Sequence, residues 1–88
     1  PGRPRGTSRQ NQALDTLWTE KLRVLRAIRD LDFDYDMDKL TDSTYEVQRI
    51  ELLRLAAAIT RRIDELEAEI ARQDRRLEEM VSAFRKAN

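Results

Sequence analysis

The stretch LDFDYDMDKLTDSTYE, residues 31–46, decides the architecture. Apolar residues recur at three-and-four spacing upstream of it and, for longer, downstream of it. No proline or glycine occurs after Gly6. Within the stretch, Leu31, Phe33, Tyr35 and Met37 alternate with Asp30, Asp32, Asp34, Asp36 and Asp38. Strict alternation is the signature of a strand. Aspartate is poor in strands, however, and no second strand is written elsewhere to pair with this one. Read as helix, Leu31 and Tyr35 share one face and Phe33 and Met37 a neighbouring one, which suggests burial on more than one side. The aspartates then sit at the negative end of the helix dipole. Each exposed one costs roughly 0.3 kcal/mol there unless arginines from elsewhere offset it. The helix is therefore expected to end near Asp36. Lys39-Leu40-Thr41-Asp42-Ser43 reads as the turn, with Thr41 as N-cap of the next helix and Asp42 in its favoured first turn. Ser43 with Glu46 offers a competing capping box. The hinge spans 37–43, and Phe33, Tyr35, Asp38, Leu40, Thr41 and Tyr45 are its structural residues.

Working outward, the spacing predicts a short first helix over about 13–37 and a long second helix over about 42–86. Leu14, Leu17, Val24, Ile28, Leu31 and Tyr35 line the first, with Lys21 interrupting the stripe and Trp18, Leu22 and Leu25 widening it. In the second, steps of four and three alternate without a break, which is a coiled-coil heptad. Arg49, Ala56, Ile63, Ile70, Leu77 and Phe84 fall at a; Tyr45, Leu52, Ile59, Leu66, Gln73 and Met80 fall at d. Ile50, Leu53 and Leu55 leave this stripe and predict burial on several sides between residues 47 and 59. The expected fold is all-α: an antiparallel helical hairpin with coiled-coil packing. A second helix of about 45 residues spans roughly 67 Å, so the first can cover it only to near Leu66. An apolar stripe left in water beyond that point predicts self-association, as a dimer or higher oligomer, or a partner helix. The expected interface is Ile59, Ile63, Leu66, Ile70, Gln73, Leu77, Met80 and Phe84. Gln73 in this seam reads equally as a register-setting polar residue or as a tolerated defect. In a parallel dimer Arg62 would face Glu67 favourably, but Glu69 would face Asp74.

Composition limits the chemistry. Eighty-eight residues make one domain at most. Residues 1–12 read as a flexible basic arm and 13–88 as the hairpin domain. Seventeen basic residues balance seventeen acidic ones, so no global charge draws the chain to nucleic acid or anionic lipid. The absence of cysteine and histidine removes disulfides, thiolate zinc sites, covalent haem attachment and the commonest general base. No apolar run reaches the length of a membrane span. Asp34, Asp36 and Asp38 match the first ligands of an EF-hand loop, but Lys39 stands where the motif needs glycine and Tyr45 where it needs glutamate. No metal, cofactor or catalytic residue is expected: paired carboxylates need a pocket that raises one pKa, and a two-helix hairpin offers none. Gly2-Arg3-Pro4 with Arg5 resembles the core of an AT-hook, which would make the chain a DNA-associated dimer.

The segment LRAIRDLDFDYDMDKLTDSTYE, residues 25–46, resembles the conserved segment of CcmI-type c-type cytochrome biogenesis proteins and of related short bacterial helical-hairpin proteins. The matching positions are Leu31, Asp32, Phe33, Asp34, Tyr35, Lys39, Leu40, Thr41, Asp42 and Tyr45. Asp38 departs from the pattern, which has glycine there. Glycine would supply the left-handed residue ending the first helix; aspartate takes that conformation less readily, which puts the turn geometry in question. The resemblance implies a non-enzymatic interaction module of a membrane-anchored factor at the cytoplasmic side of the bacterial inner membrane. Its partners would be cytochrome c maturation components that handle apocytochrome. The anchor would precede this chain, with Arg3, Arg5 and Arg9 just inside the membrane. No haem-binding or substrate-binding residue carries over, because the matching residues form the hinge. The alternative to this family function is a generic oligomeric coiled-coil scaffold.

Overall fold

Two helices, α1 (Ser8–Asp36) and α2 (Asp42–Ala87), pack antiparallel in the computed structural model, which describes residues 6–87. The antiparallel helical hairpin read from the heptads is the observed architecture. Its two ends are set by local hydrogen bonding that can be named residue by residue.

The first helix begins at a capping box. Thr7 is extended (φ −68°, ψ 161°), and its hydroxyl accepts the Gln10 backbone N–H at 3.1 Å. The Gln10 side-chain carbonyl accepts the Thr7 N–H at 3.0 Å in return. Two of the unpaired donors at the helix start are thereby satisfied. The helix thus starts five residues before Ala13, and residues 8–12, expected in the flexible arm, are helical. Arg9 lies in this first turn, whereas Gly2-Arg3-Pro4 and Arg5 lie outside the described residues.

The reversal occupies residues 37–41. Asp38 has φ 59°, the left-handed conformation, and is the only described non-glycine residue with positive φ. Its N–H bonds the Tyr35 carbonyl at 3.0 Å, and the Lys39 N–H bonds the Asp34 carbonyl at 3.0 Å. This pair of bonds is a Schellman motif, which closes helix ends around a left-handed residue. Asp38 therefore adopts the geometry glycine would supply. Aspartate is one of the few side chains that visits this region, at a cost of about 1 kcal/mol. Thr41 then caps α2: its hydroxyl accepts the Thr44 N–H at 3.2 Å. Asp42 lies in the first turn, where the dipole favours it. The Thr41 assignment holds over the Ser43–Glu46 alternative.

Between these ends, Leu14, Val24 and Ile28 of α1 pack with Ile59, Ile63, Leu66 and Ile70 of α2. Leu17, Trp18, Leu52 and Ala56 border this core, and Leu31 is buried towards the hinge. Ile63 and Ile70 are each 1% exposed. The heptad positions thus face α1 as the spacing requires. The widened surfaces are not buried. Phe33, Met37, Val47, Ile50, Leu53 and Leu55 are all exposed, because one neighbouring helix can cover only one side of another.

Coverage extends further than expected. The early start of α1 adds about 7 Å to its length, and Gln10 reaches Gln73, with its side-chain amide N–H donating to the Gln73 side-chain carbonyl at 2.8 Å. Gly6 lies against Ile70: a Cβ there would come within 3.2 Å of the isoleucine side chain. Ile70, expected to project past α1, is instead sealed beneath its first turn.

Two measurements check this account. Asp38→Gly should raise stability by about 0.5–1 kcal/mol, and Asp38→Val should lower it by more than that, because a β-branched residue resists positive φ. Ile63→Ala should cost about 2–5 kcal/mol in denaturant unfolding, as a cavity in a packed seam. Equal stability of all three Asp38 forms would mean the turn is not left-handed in solution.

Candidate functional site

Two places on the hairpin concentrate features that a plain helical pair does not need: a polar latch beside the turn and a bare apolar stripe at the far end of α2.

The latch is built by the turn itself. Reversing the chain around Asp38 brings Tyr35, the penultimate residue of α1, against Tyr45, one turn into α2. Their rings stack with centroids 4.0 Å apart and planes 7° from parallel. Each phenol then bonds an acid on the opposite helix. Tyr35 donates to Asp42 at 2.7 Å, and Tyr45 donates to Asp32 at 2.7 Å. Arg49, one turn beyond Tyr45, donates from Nε to the same Asp32 oxygen at 3.0 Å and from its terminal nitrogen to the other at 3.5 Å. The charged residue at a heptad a position is thus paired across the seam, and it offsets Asp32 at the unfavourable end of the α1 dipole.

The electrostatic consequences are reciprocal. Hydrogen bonds from Arg49 and then from Tyr45 hold the Asp32 carboxyl below its ordinary value of 3.8. The bond to Asp32 holds the Tyr45 phenol above its ordinary 10.0, and the bond to Asp42 does the same for Tyr35. The Asp32 hydrogen bond and charge raise Arg49 further. These groups satisfy one another. What the cluster does chemically is lock the first turn of α2 onto the last turn of α1.

Of the expected hinge residues, Tyr35, Asp38, Thr41 and Tyr45 take part in the reversal or the latch. Leu40 is half-buried in the turn, and Phe33 is exposed. Asp32, Arg49, Asp42 and Gln10 were not singled out from the sequence as site residues. The available signal was Arg49 itself, since a guanidinium in an apolar seam requires an acceptor opposite. Lys21, the interruption in the α1 stripe, lies over the Trp18 ring at 4.9 Å from its centroid, a cation–π contact. Among the described residues, no three carboxylates converge to hold a metal ion, and no helix is long and apolar enough to cross a membrane.

The expected interface divides in two. Ile59, Ile63, Leu66 and Ile70 are buried within the chain against α1, so they are core of the hairpin and are not free to meet another molecule. Gln73 bonds Gln10. Leu77, Met80 and Phe84 remain exposed, at 61%, 64% and 71%, and Val81 joins them at 43%. These four follow i, i+3, i+4, i+7 spacing and form one stripe.

No protein-family model, curated protein or solved structure matches the chain.

The latch predicts a pH response whose sign is fixed by its shifts. Asp32 has a folded value below its unfolded one, so its stabilisation is present above pH 3.8 and is lost as pH falls through the folded value. Tyr45 has a raised folded value, so its contribution is present below pH 10.0 and is lost as pH rises through the folded value. Thermal unfolding should show wild type more stable than Asp32→Asn at neutral pH, with the gap closing in acid. Parallel curves for the two proteins would mean that Asp32 does not support the fold.

Proposed function

We propose that this chain is a non-enzymatic protein–protein interaction module: a latched helical hairpin that holds the last part of α2 out as a docking helix. The observation that carries this reading is the stripe of Leu77, Met80, Val81 and Phe84, exposed at 61%, 64%, 43% and 71% on the part of α2 that follows the Gln10–Gln73 hydrogen bond. Burying such side chains is worth about 1.5–3 kcal/mol each, so a helix surface of this kind is most stable when another helix covers it. The rest of the molecule suits the role. The latch and the capping box stiffen the hairpin, and the polar groups at the turn are engaged with one another.

A photo-reactive amino acid at position 84 should form covalent adducts to protein in cells. The same group at Arg61, exposed on the body of the hairpin, should not. Equal labelling at the two positions would remove the docking role from the stripe.

A second reading, the membrane-anchored c-type cytochrome biogenesis factor, is favoured by one observation. Asp38 holds the left-handed conformation at the position where the resembled family has glycine. On this reading the module works at the cytoplasmic side of the bacterial inner membrane, tethered by a segment outside this chain, and docks to maturation components. Deleting the gene should reduce haem-stained c-type cytochromes in membranes. Unchanged staining would exclude this pathway and leave the interaction module as a generic coiled-coil scaffold.

A further inference from the structure

We infer that the outer face of α1 pairs with the same face of a second copy of this chain, antiparallel, about a two-fold axis between Arg29 and Asp30. This surface is separate from the apolar stripe on α2, and the inference does not rest on the docking reading.

The face contains the part of the alternating stretch that the fold leaves unused. Leu31 is buried, Tyr35 stacks on Tyr45, and Asp32 is held by Arg49. Phe33, Asp36 and Met37 have no such role. Along the side of α1 opposite the seam, Leu22, Arg26, Arg29, Phe33 and Asp36 follow four-and-three spacing. Arg23, Asp30 and Met37 lie one position along from three of these. All of them are exposed. Leu22, Phe33 and Met37 are exposed at 53%, 64% and 52%, so the face is not a purely solvated one.

The face changes sign at its middle. Arg23, Arg26 and Arg29 lie before the axis, and Asp30 and Asp36 lie after it. Among the described residues, none of these five side chains makes a hydrogen bond or ion pair. The two aspartates also lie towards the negative end of the α1 dipole, where a cation is favoured and an acid is not. A partner that brings guanidinium groups to the acidic half and carboxylates to the basic half answers both conditions. The reversed α1 of a second copy does so.

The pairs follow from the register. Arg29 faces Asp30 of the second copy, and Arg23 faces Asp36 of the second copy. In the same layer as the latter pair, Leu22 faces Met37 of the second copy. Between these layers Arg26 faces Phe33 of the second copy, guanidinium against ring, as in a cation–π contact. Symmetry repeats each pair on the other side of the axis. A parallel copy would instead set Arg23, Arg26 and Asp36 each against itself, so charge selects the antiparallel arrangement. Because the face lies opposite the seam, the second hairpin adds outside α1 and leaves α2 in place. The overlap runs over about residues 20–39, roughly 30 Å of helix. A contact of that size is smaller than a standard interface, and its ion pairs stay close to solvent. The dimer is therefore weak and salt-sensitive, with a dissociation constant on the order of 100 µM.

Sedimentation at about 1 mM protein should find a dimer in low salt and mostly monomer in about 1 M salt. One hairpin is 72 Å long, so small-angle scattering should give the dimer a length of about 110 Å. Arg23→Glu should weaken association about tenfold, and adding Asp36→Arg should restore it. Phe33→Ala should weaken it about tenfold as well. These positions are exposed, so circular dichroism should show the helical hairpin unchanged in every variant. The chain has no cysteine, so introduced ones report orientation directly. Arg26→Cys should link to Phe33→Cys on oxidation and not to itself, because the two copies of position 26 lie about 10 Å apart along the axis.

A monomer at about 1 mM in low salt overturns the proposal. So does a double swap that fails to restore association, or self-linking at position 26. A dimer that survives Arg23→Glu and is lost on Phe84→Asp belongs to the α2 stripe and overturns it too. A photo-reactive amino acid at position 33 that captures only a different protein assigns the face to that protein and overturns self-pairing.

Discussion

The hairpin depends on reversing the chain within five residues while leaving both helices in register. Asp38 makes this reversal by accepting a left-handed backbone, closed by two hydrogen bonds to the carbonyls of Tyr35 and Asp34. Everything downstream inherits its geometry. Tyr35 and Tyr45 stack because the turn places them face to face, and Asp32 meets Arg49 because the stack fixes the first turns of α2 against α1. The apolar seam then follows by helical periodicity, with no further specification needed along some 40 Å of helix. A slip at the turn would misplace every later pair at once, which gives a polar latch beside the turn more value than its exposed hydrogen bonds would have elsewhere.

The other governing quantity is unequal length. α1 has 29 residues and α2 has 46. A hairpin with equal arms would bury its whole seam and present only solvated flanks. Here the second arm outruns the first, so one helix is core along most of its length and exposed apolar surface along the remainder. Both roles are written in a single heptad pattern. The pattern does not announce where one role passes into the other; that boundary is set by where α1 begins.

This explains what could be read from the sequence. The helix-turn-helix order, the heptad register of α2, Thr41 as its cap and the departure at Asp38 are local properties, carried by spacing and by residue type. The start of α1 was less visible, because residues 7–12 (TSRQNQ) are polar throughout and no apolar period marks them as helix. The Thr7–Gln10 capping box was the available sign. Apolar periodicity without it starts α1 at Ala13 and leaves Ile70 outside. The latch was hidden for a different reason. Alternating aspartates and an arginine in the seam look like separate irregularities until the turn brings Asp32 and Arg49 together from 17 positions apart. The broad apolar faces near Phe33 and Ile50 misled in the opposite direction, since hydrophobic side chains predict burial only where the topology supplies a neighbour.

Gln10 couples the start of α1 to the far part of α2. Its carbonyl caps Thr7, and the amide nitrogen of the same group holds Gln73. One planar group therefore ties the beginning of α1 to the position on α2 where coverage stops. If the first turn of α1 frays, the clamp on Gln73 is released together with the cap, and the cover over Ile70 goes with it. The bare stripe would then grow by one heptad, from Leu77 back to Ile70. The length of the bare apolar end is in this sense an adjustable quantity, metered by the opening and closing of a single helical turn.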